Sequence, residues 1–135
     1  MRCRSLASIS FVVVCLLAGL ATGARAAEPA DLSGRWHGAW LSCQTGHHGR
    51  LSARFCKIDD TCYRVIFTGS FWVVIPFRFT VNLAASDQPD GTVVLSGSPR
   101  LPFFGTFDFA AVATDHDFQA TYSTSRDHGQ FTLHR

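Results

Sequence analysis

Lysine, glutamate and methionine are almost missing from this 135-residue chain, which holds one of each: Lys57, Glu28 and Met1. Charged residues make up 16% of the sequence, whereas ordinary soluble domains have about 25%. Because these three residue types are strong helix formers, a chain so poor in them is a weak candidate for a helical bundle or a coiled coil. Its twelve phenylalanines and eleven glycines favour strands and tight turns instead.

The sequence also lacks the short motifs of common enzyme classes. It contains no G-x-S-x-G nucleophile elbow, no H-E-x-x-H zinc motif, no P-loop and no dinucleotide-binding fingerprint. Cysteine spacings typical of zinc sites are absent from it as well. The sequence therefore predicts a protein that is not an enzyme and that uses no metal and no cofactor.

Residues 1–26 have the three parts of a secretory signal peptide. The segment is basic at 1–4, apolar and uncharged at 6–20, and has a small-x-small cleavage pattern at 24–26. We expect cleavage at its end, a secreted or periplasmic location, and a single domain over 27–135. A retained membrane anchor is the less favoured alternative, because the apolar run is shorter than the roughly 20 residues that span a bilayer. No membrane association is expected after cleavage.

Cleavage changes the charge of the chain. Loss of Arg2, Arg4 and Arg25 lowers the count of Lys and Arg from 12 to 9, while all 10 acidic residues remain. With neutral histidines the formal net charge therefore changes from +2 to −1. A nearly neutral chain with scattered arginines offers no basic cluster to a phosphate backbone, so nucleic acid is not an expected partner.

Apolar residues alternate with polar ones from Gly34 onward. Every odd position from Phe71 to Leu83 is apolar, which is the period of a half-buried strand. The pattern predicts eight strands, at residues 34–43, 50–56, 62–68, 71–84, 92–97, 101–113, 117–124 and 129–135. No connection is long enough for a crossover helix, so neighbouring strands are expected to be antiparallel. The predicted fold is all-β: an eight-stranded antiparallel up-and-down β-barrel.

Pro76 lies inside the longest predicted strand, where it cannot donate a ladder hydrogen bond. A β-bulge, or a corner between two packed sheets, would accommodate it. An antiparallel β-sandwich is therefore the alternative fold.

Three cysteines follow the signal segment: Cys43, Cys56 and Cys62. Since Cys56 and Cys62 bracket a polar turn and disulfides persist in exported proteins, we expect a disulfide between them, with Cys43 left as a free thiol. That register also sets Arg54 opposite Arg64, and like charges in this position are mildly unfavourable. A register two residues away would relieve this repulsion and separate the cysteines.

Gly34 and Trp36 open the first predicted strand in a G-x-W arrangement that resembles the signature of lipocalins and the wider calycin barrels. Two further marks of that family have counterparts here: Thr114-Asp115 between the sixth and seventh strands, and Arg135 at the end of the eighth. The resemblance implies that these residues meet at the closed end of the barrel. Arg135 shares parity with the inward residues of its strand, so we expect it to lie over Trp36 as a cation–π pair.

The opposite end of such a barrel gathers the loops that follow the odd-numbered strands. Four polar residues there are candidates for binding a ligand: His47, His48, Asp127 and His128. Imidazoles and a carboxylate on one rim could orient a ligand, hold zinc or act as acid–base groups. Ordinary solvated surface is the alternative.

Large aromatic side chains on inward parity near the same end are further candidates for ligand binding: Trp40, Phe77, Phe79, Phe107 and Tyr122. They either line an apolar pocket or fill a small core. The first case predicts a secreted or periplasmic calycin-like protein that holds a small apolar ligand. The second predicts a filled barrel that acts by its surface on a protein partner, as an inhibitor or interaction module. Trp72, Val74 and Phe104 fall on outward parity near the mouth, where clustered apolar residues would indicate a partner or dimer surface.

Overall fold

The structure, a computed structural model, describes Gly23 and residues 25–72, 74–102 and 104–135 of the protein. Nearly all of the predicted signal peptide lies outside these ranges. Within them every regular element is a β-strand, and no helix capable of crossing a membrane is found. The strands are β1 (Gly34–Ser42), β2 (His48–Asp59), β3 (Cys62–Phe71), β4 (Ile75–Asp87), β5 (Val93–Gly97), β6 (Arg100–Leu101), β7 (Gly105–Thr106), β8 (Asp108–Ala113), β9 (Asp117–Ser123) and β10 (His128–His134).

Eight of these strands form a closed antiparallel barrel with the order β1-β10-β9-β8-β5-β4-β3-β2. The barrel closes where β1 pairs with β10, from His37 opposite His134 to Ser42 opposite Gly129. The predicted up-and-down barrel is confirmed. The sandwich alternative is wrong, because one closed ladder connects all eight strands.

Two ends result from this topology. The open end carries the β1–β2, β3–β4 and β9–β10 connections, together with the segment that joins β5 to β8. The closed end carries the β2–β3, β4–β5 and β8–β9 connections, and the chain enters β1 there. Exposed residues alternate with buried ones along β8, β9 and β10, as period-two alternation requires.

The hairpin turn between β3 and β4 lies later in the chain than predicted. Phe71 belongs to β3 and pairs with Ile75, the first residue of β4. The ladder passes Pro76 without a register shift, so the expected bulge or sheet corner is wrong. β5 pairs with β4 only from Ala84 onward, so Pro76 lies where β4 has one partner strand among the described residues. A missing N–H is tolerated at such an edge.

The predicted strand at residues 101–113 is interrupted. Its second half is β8, whereas its first half belongs to the small β6–β7 hairpin, which forms a separate two-stranded sheet. Pro99 and Pro102 cannot donate ladder hydrogen bonds, and Gly105 has a φ of 78° that favours glycine. These residues take the chain out of the barrel wall at the open end before it returns at Asp108.

The β2–β3 hairpin adopts the register that separates its cysteines. Cys56 lies opposite Arg64, and Arg54 lies opposite Ile66, so the unfavourable arginine pair is avoided. Cys56 and Cys62 are both free thiols. The expected disulfide is therefore wrong, because the register of the hairpin places Cys56 opposite Arg64 and Cys62 opposite Asp59.

Aromatic rings fill the closed half of the barrel. Trp36, Phe55 and Phe118 contact one another with ring centroids 5.2 to 6.4 Å apart, and all three are fully buried. The segment before β1 crosses this end and buries Leu32, whose carbonyl accepts a 2.9 Å hydrogen bond from Trp36 Nε1. A packed, internally bonded plug therefore seals one end of the barrel.

Arg135 fastens this plug from outside. Its guanidinium carbon lies 4.6 Å from the ring centroid of Trp36, which confirms the predicted cation–π pair. Its Nε donates to the carbonyl of Asp115 at 2.6 Å, and its terminal nitrogens donate to the carbonyls of Ser33 at 2.7 Å and Asp31 at 2.5 Å. One side chain thus joins β10, the β8–β9 turn and the segment that leads into β1.

Gly34 and Thr114 shape the backbone around this arginine. Gly34 has a φ of 119°, which side chains with a Cβ rarely adopt. The Thr114 hydroxyl accepts hydrogen bonds from the N–H groups of His116 at 3.3 Å and Asp117 at 3.1 Å. These bonds hold the turn in which the Asp115 carbonyl faces Arg135.

Removal of the central ring of the plug should be costly. We expect Trp36→Ala to lower the free energy of unfolding by about 3–5 kcal/mol, as large-to-small aromatic changes in cores do, and Arg135→Ala to lower it by about 1 kcal/mol through lost stacking. Urea denaturation followed by circular dichroism measures both. Val94→Ala, on the exposed outer wall, is the control, and a Trp36→Ala protein as stable as this control would contradict the prediction.

Candidate functional site

A cavity of about 440 Å³ opens at the open end of the barrel. Of the nine residues predicted to bind a ligand, six line it: Trp40, Phe77, Phe79, Phe107, Tyr122 and Asp127. The closed half below it is filled, so the barrel is neither hollow throughout nor filled throughout. Cavities of this size accommodate small molecules.

Aromatic rings form most of the cavity wall and hold one another in place. Phe71 packs against Trp40 at 5.2 Å and against Phe77 at 4.7 Å between ring centroids. On the facing wall Phe107 stacks on Tyr122 at 5.5 Å with an interplanar angle of 30°. Since each ring contacts others, the wall is a connected aromatic surface rather than a set of mobile side chains.

Glycines in the barrel wall make room for two of these rings. A Cβ at Gly69 would come within 2.5 Å of the Phe77 ring, and a Cβ at Gly129 within 2.7 Å of the Tyr122 ring. Real Cβ atoms do not approach so closely. The rings can therefore lie flat against the backbone, which keeps the middle of the open half free.

The cavity is bordered by β4 on one side and by the β6–β7 hairpin on the other. Phe77, Arg78 and Phe79 of β4 line one side, and Leu101 and other hairpin residues line the other. β4 has no ladder to β5 before Ala84, so the wall is not closed by hydrogen bonds along this part of the described chain. The hairpin contacts the end of β3 next to this gap through the rings of Phe104 and Phe71, 5.8 Å apart.

Several polar side chains are hydrogen-bonded to one another at one edge of the cavity. The Asp127 carboxylate accepts hydrogen bonds from the Ser42 hydroxyl at 2.6 Å and from the Tyr122 hydroxyl at 2.9 Å. Ser42 is 1% exposed, and its oxygen also accepts from the Thr45 hydroxyl at 2.8 Å. These bonds tie the β1–β2 loop to the β9–β10 loop, which barrel closure makes neighbours as predicted.

This arrangement changes the chemistry of Tyr122. Burial disfavours the charged phenolate, and the bond to the Asp127 carboxylate adds to this, so the pKa of Tyr122 is raised well above its ordinary value. Its hydroxyl is thus a hydrogen-bond donor at physiological pH. The phenol serves as a structural donor to Asp127 and as apolar cavity wall.

The three histidines predicted to join the site do not line the cavity. The His47 ring contacts the Trp72 ring at 5.6 Å, His48 Nδ1 lies 3.3 Å from the Gly46 carbonyl, and His128 is exposed at the start of β10. Within the described ranges no cluster of three metal-ligand side chains is found. His47 lies in the β1–β2 connection, and His48 and His128 are exposed first residues of β2 and β10, so a shared end of the barrel did not bring these imidazoles together.

Several lining residues were not among the predicted ones: Phe71, Arg78, Leu101, Pro102, Phe104, Thr124, Arg126 and Phe131. Phe71 and Leu101 were assigned to strands whose boundaries proved different. Arg78 has outward parity, and it reaches the cavity only because β4 has no neighbour there. The Phe-rich run at 101–109 was the signal that could have indicated a wall built outside the regular ladder.

Comparison of the chain with protein-family models, with curated proteins and with solved structures finds no match.

Asp127 is expected to stabilise the open end. Asp127→Ala leaves the buried hydroxyls of Ser42 and Tyr122 without their acceptor, so the free energy of unfolding should fall by about 1–3 kcal/mol. Asp108→Ala is the matched control, since that carboxylate accepts one exposed hydrogen bond, from Ser98. Urea denaturation compares them, and equal losses for the two variants would contradict the role assigned to Asp127.

Tyr122 should make the fold sensitive to alkaline pH. Because the pKa of Tyr122 is higher in the folded protein, the unfolded chain releases this proton first as pH rises. The contribution is therefore complete below the unfolded pKa of about 10 and is lost as pH rises above it. We expect unfolding free energy to fall above about pH 10 in the parent and to fall less in Tyr122→Phe. Urea titrations across this range test it, and identical pH profiles would contradict it.

Proposed function

We propose that this protein is an exported, calycin-like β-barrel binding protein that holds a small apolar ligand in its open-end cavity. The observation that carries the proposal is the cavity itself, about 440 Å³ in volume and walled mainly by aromatic rings. Small domains generally use every large side chain for packing. A void bordered by so many rings therefore favours a ligand as the missing contact partner.

The polar groups of the cavity are few. Asp127, Thr124 and Arg126 come from the β9–β10 loop, and Arg78 lies on β4 next to Phe77, among otherwise apolar lining residues. Binding pockets typically combine an apolar wall with a small number of polar groups that set orientation. A mostly apolar molecule with a small number of polar atoms suits this distribution.

The closed end supports the calycin resemblance. Gly34, Trp36, Asp115 and Arg135 come together there, in the way the resemblance implied. The basic, apolar and small-residue parts of residues 1–26 support export. Both remain parts of the proposal.

Fluorescence titration with a neutral apolar probe tests ligand binding. N-phenyl-1-naphthylamine should bind the parent saturably at micromolar concentration, with quenching of Trp40 in the cavity wall. Phe107→Ala removes a stacking ring and should weaken the probe about tenfold, the worth of one aromatic contact. Val112→Ala, on the outer wall at 50% exposure, should bind as the parent does.

The absence of saturable binding by the parent across a chemically broad set of probes would overturn the carrier proposal. Equal weakening by Phe107→Ala and Val112→Ala would place the bound probe outside the cavity and would overturn it too. Either result would leave the surface-interaction or inhibitor module as the better account.

A further inference from the structure

Two connections at the open end carry large apolar side chains that face solvent. At the β3–β4 turn Trp72 is 64% exposed, Val74 76% and Ile75 48%, and at the tip of the β6–β7 hairpin Phe104 is 49% exposed. The stacked rings of Phe71 and Phe104, 5.8 Å apart, bring the two connections together. We call Trp72, Val74, Ile75 and Phe104 the apolar tip.

The backbone at Trp72 is strained. Its φ is 48°, a left-handed conformation that is uncommon and unfavourable for bulky residues. Small residues such as glycine or asparagine adopt it more readily. A large indole in a glycine-like turn position, and exposed there, is unfavourable for the isolated fold and suggests a use for the side chain outside it.

Charge is divided unevenly along the barrel. Eight of the ten acidic residues lie at the closed end: Glu28, Asp31, Asp59, Asp60, Asp87, Asp90, Asp115 and Asp117. They outnumber the five basic residues of the closed half from residue 27 onward: Arg35, Arg54, Lys57, Arg64 and Arg135.

The open half has the opposite balance. It carries four arginines, Arg50, Arg78, Arg100 and Arg126, against Asp108 and Asp127. Both of these carboxylates accept hydrogen bonds from neighbouring hydroxyls. The apolar tip therefore lies at the basic end of the molecule.

From these observations we propose that the apolar tip inserts into the interfacial region of an anionic lipid bilayer, with the four arginines of the open half close to the lipid headgroups. Indole side chains favour the membrane interface, and shallow insertion of apolar residues beside cationic ones is the usual mode of peripheral binding. Each arginine near an anionic surface contributes about fivefold in affinity. The acidic closed end would point away from the bilayer, and the open end with its cavity would face the bilayer.

This proposal revises the expectation that the mature protein does not associate with membranes, and it does not depend on ligand binding. A second copy of the chain is a less suitable occupant of the apolar tip. Two open ends brought together would place arginines against arginines, whereas anionic headgroups complement them. The apolar tip also consists of two turns, and side chains on turns insert into a lipid bilayer more easily than they pack against a flat protein surface.

Vesicle flotation of the mature protein tests the proposal. Vesicles containing about one-third phosphatidylglycerol in phosphatidylcholine should carry the protein, and phosphatidylcholine alone should carry much less. Trp72→Asn combined with Val74→Ser should weaken binding about tenfold or more, since asparagine keeps the turn conformation and neither residue lines the cavity. Ile58→Ser removes a comparably exposed apolar side chain at the closed end and should have no effect.

Two further measurements test separately the role of the arginines and the insertion of the apolar tip. Arg100→Gln should weaken binding about fivefold, and Arg54→Gln, on the outer wall of the closed half, is its matched control. Lipids brominated near the headgroup should quench Trp72 emission, whereas the buried Trp36 and Trp40 should be protected. Circular dichroism of every variant confirms that the barrel is intact.

Failure of the parent to float with anionic vesicles would overturn the proposal, as would binding that the Trp72 and Val74 changes leave intact. Size-exclusion chromatography tests whether a second copy of the chain binds to the apolar tip. A dimer in the absence of vesicles that disappears in the same double variant would assign the apolar tip to a second copy instead, and would overturn membrane insertion.

Discussion

The hydrogen-bonded ladder between β1 and β10 is the constraint on which the rest of the molecule depends. It joins the first and last strands over the stretch from His37 to Ser42 and so removes the two free edges of an eight-stranded meander. Closure gives every strand one face toward the barrel interior and one face toward solvent. It also makes the β1–β2 and β9–β10 loops neighbours, which is why Ser42 and Tyr122 can share the carboxylate of Asp127.

The interior of the closed barrel has a filled half and an open half. The rings of Trp36, Phe55 and Phe118 fill the closed half and provide the dense packing that a small domain needs. Because the closed half supplies this packing, the open half can forgo some packing contacts and keep a cavity. The cavity wall remains ordered since its rings pack on one another and on wall positions such as Gly69.

The sequence predictions succeeded where the information is local and failed where partners are distant. Period-two alternation predicted the barrel strands and the inward direction of Phe77 and Phe107. It could not place the β3–β4 turn, because the alternation continues unbroken across it, nor the Cys56 register, because a shift of two residues preserves which face each side chain occupies. Arg78 has outward parity on β4, yet its side chain lines the cavity because β4 lacks a second partner strand beside it.

The sequence by itself determined the fold class, the order of strands and which loops share each end, because alternation and short connections permit few other arrangements. It also predicted that Arg135 lies over Trp36. Only the tertiary structure decided whether the interior is filled, which loop side chains face it and where the wall opens. Those properties depend on the sum of side-chain volumes across all eight strands and on where β5 begins to pair with β4, and neither is a property of any single segment.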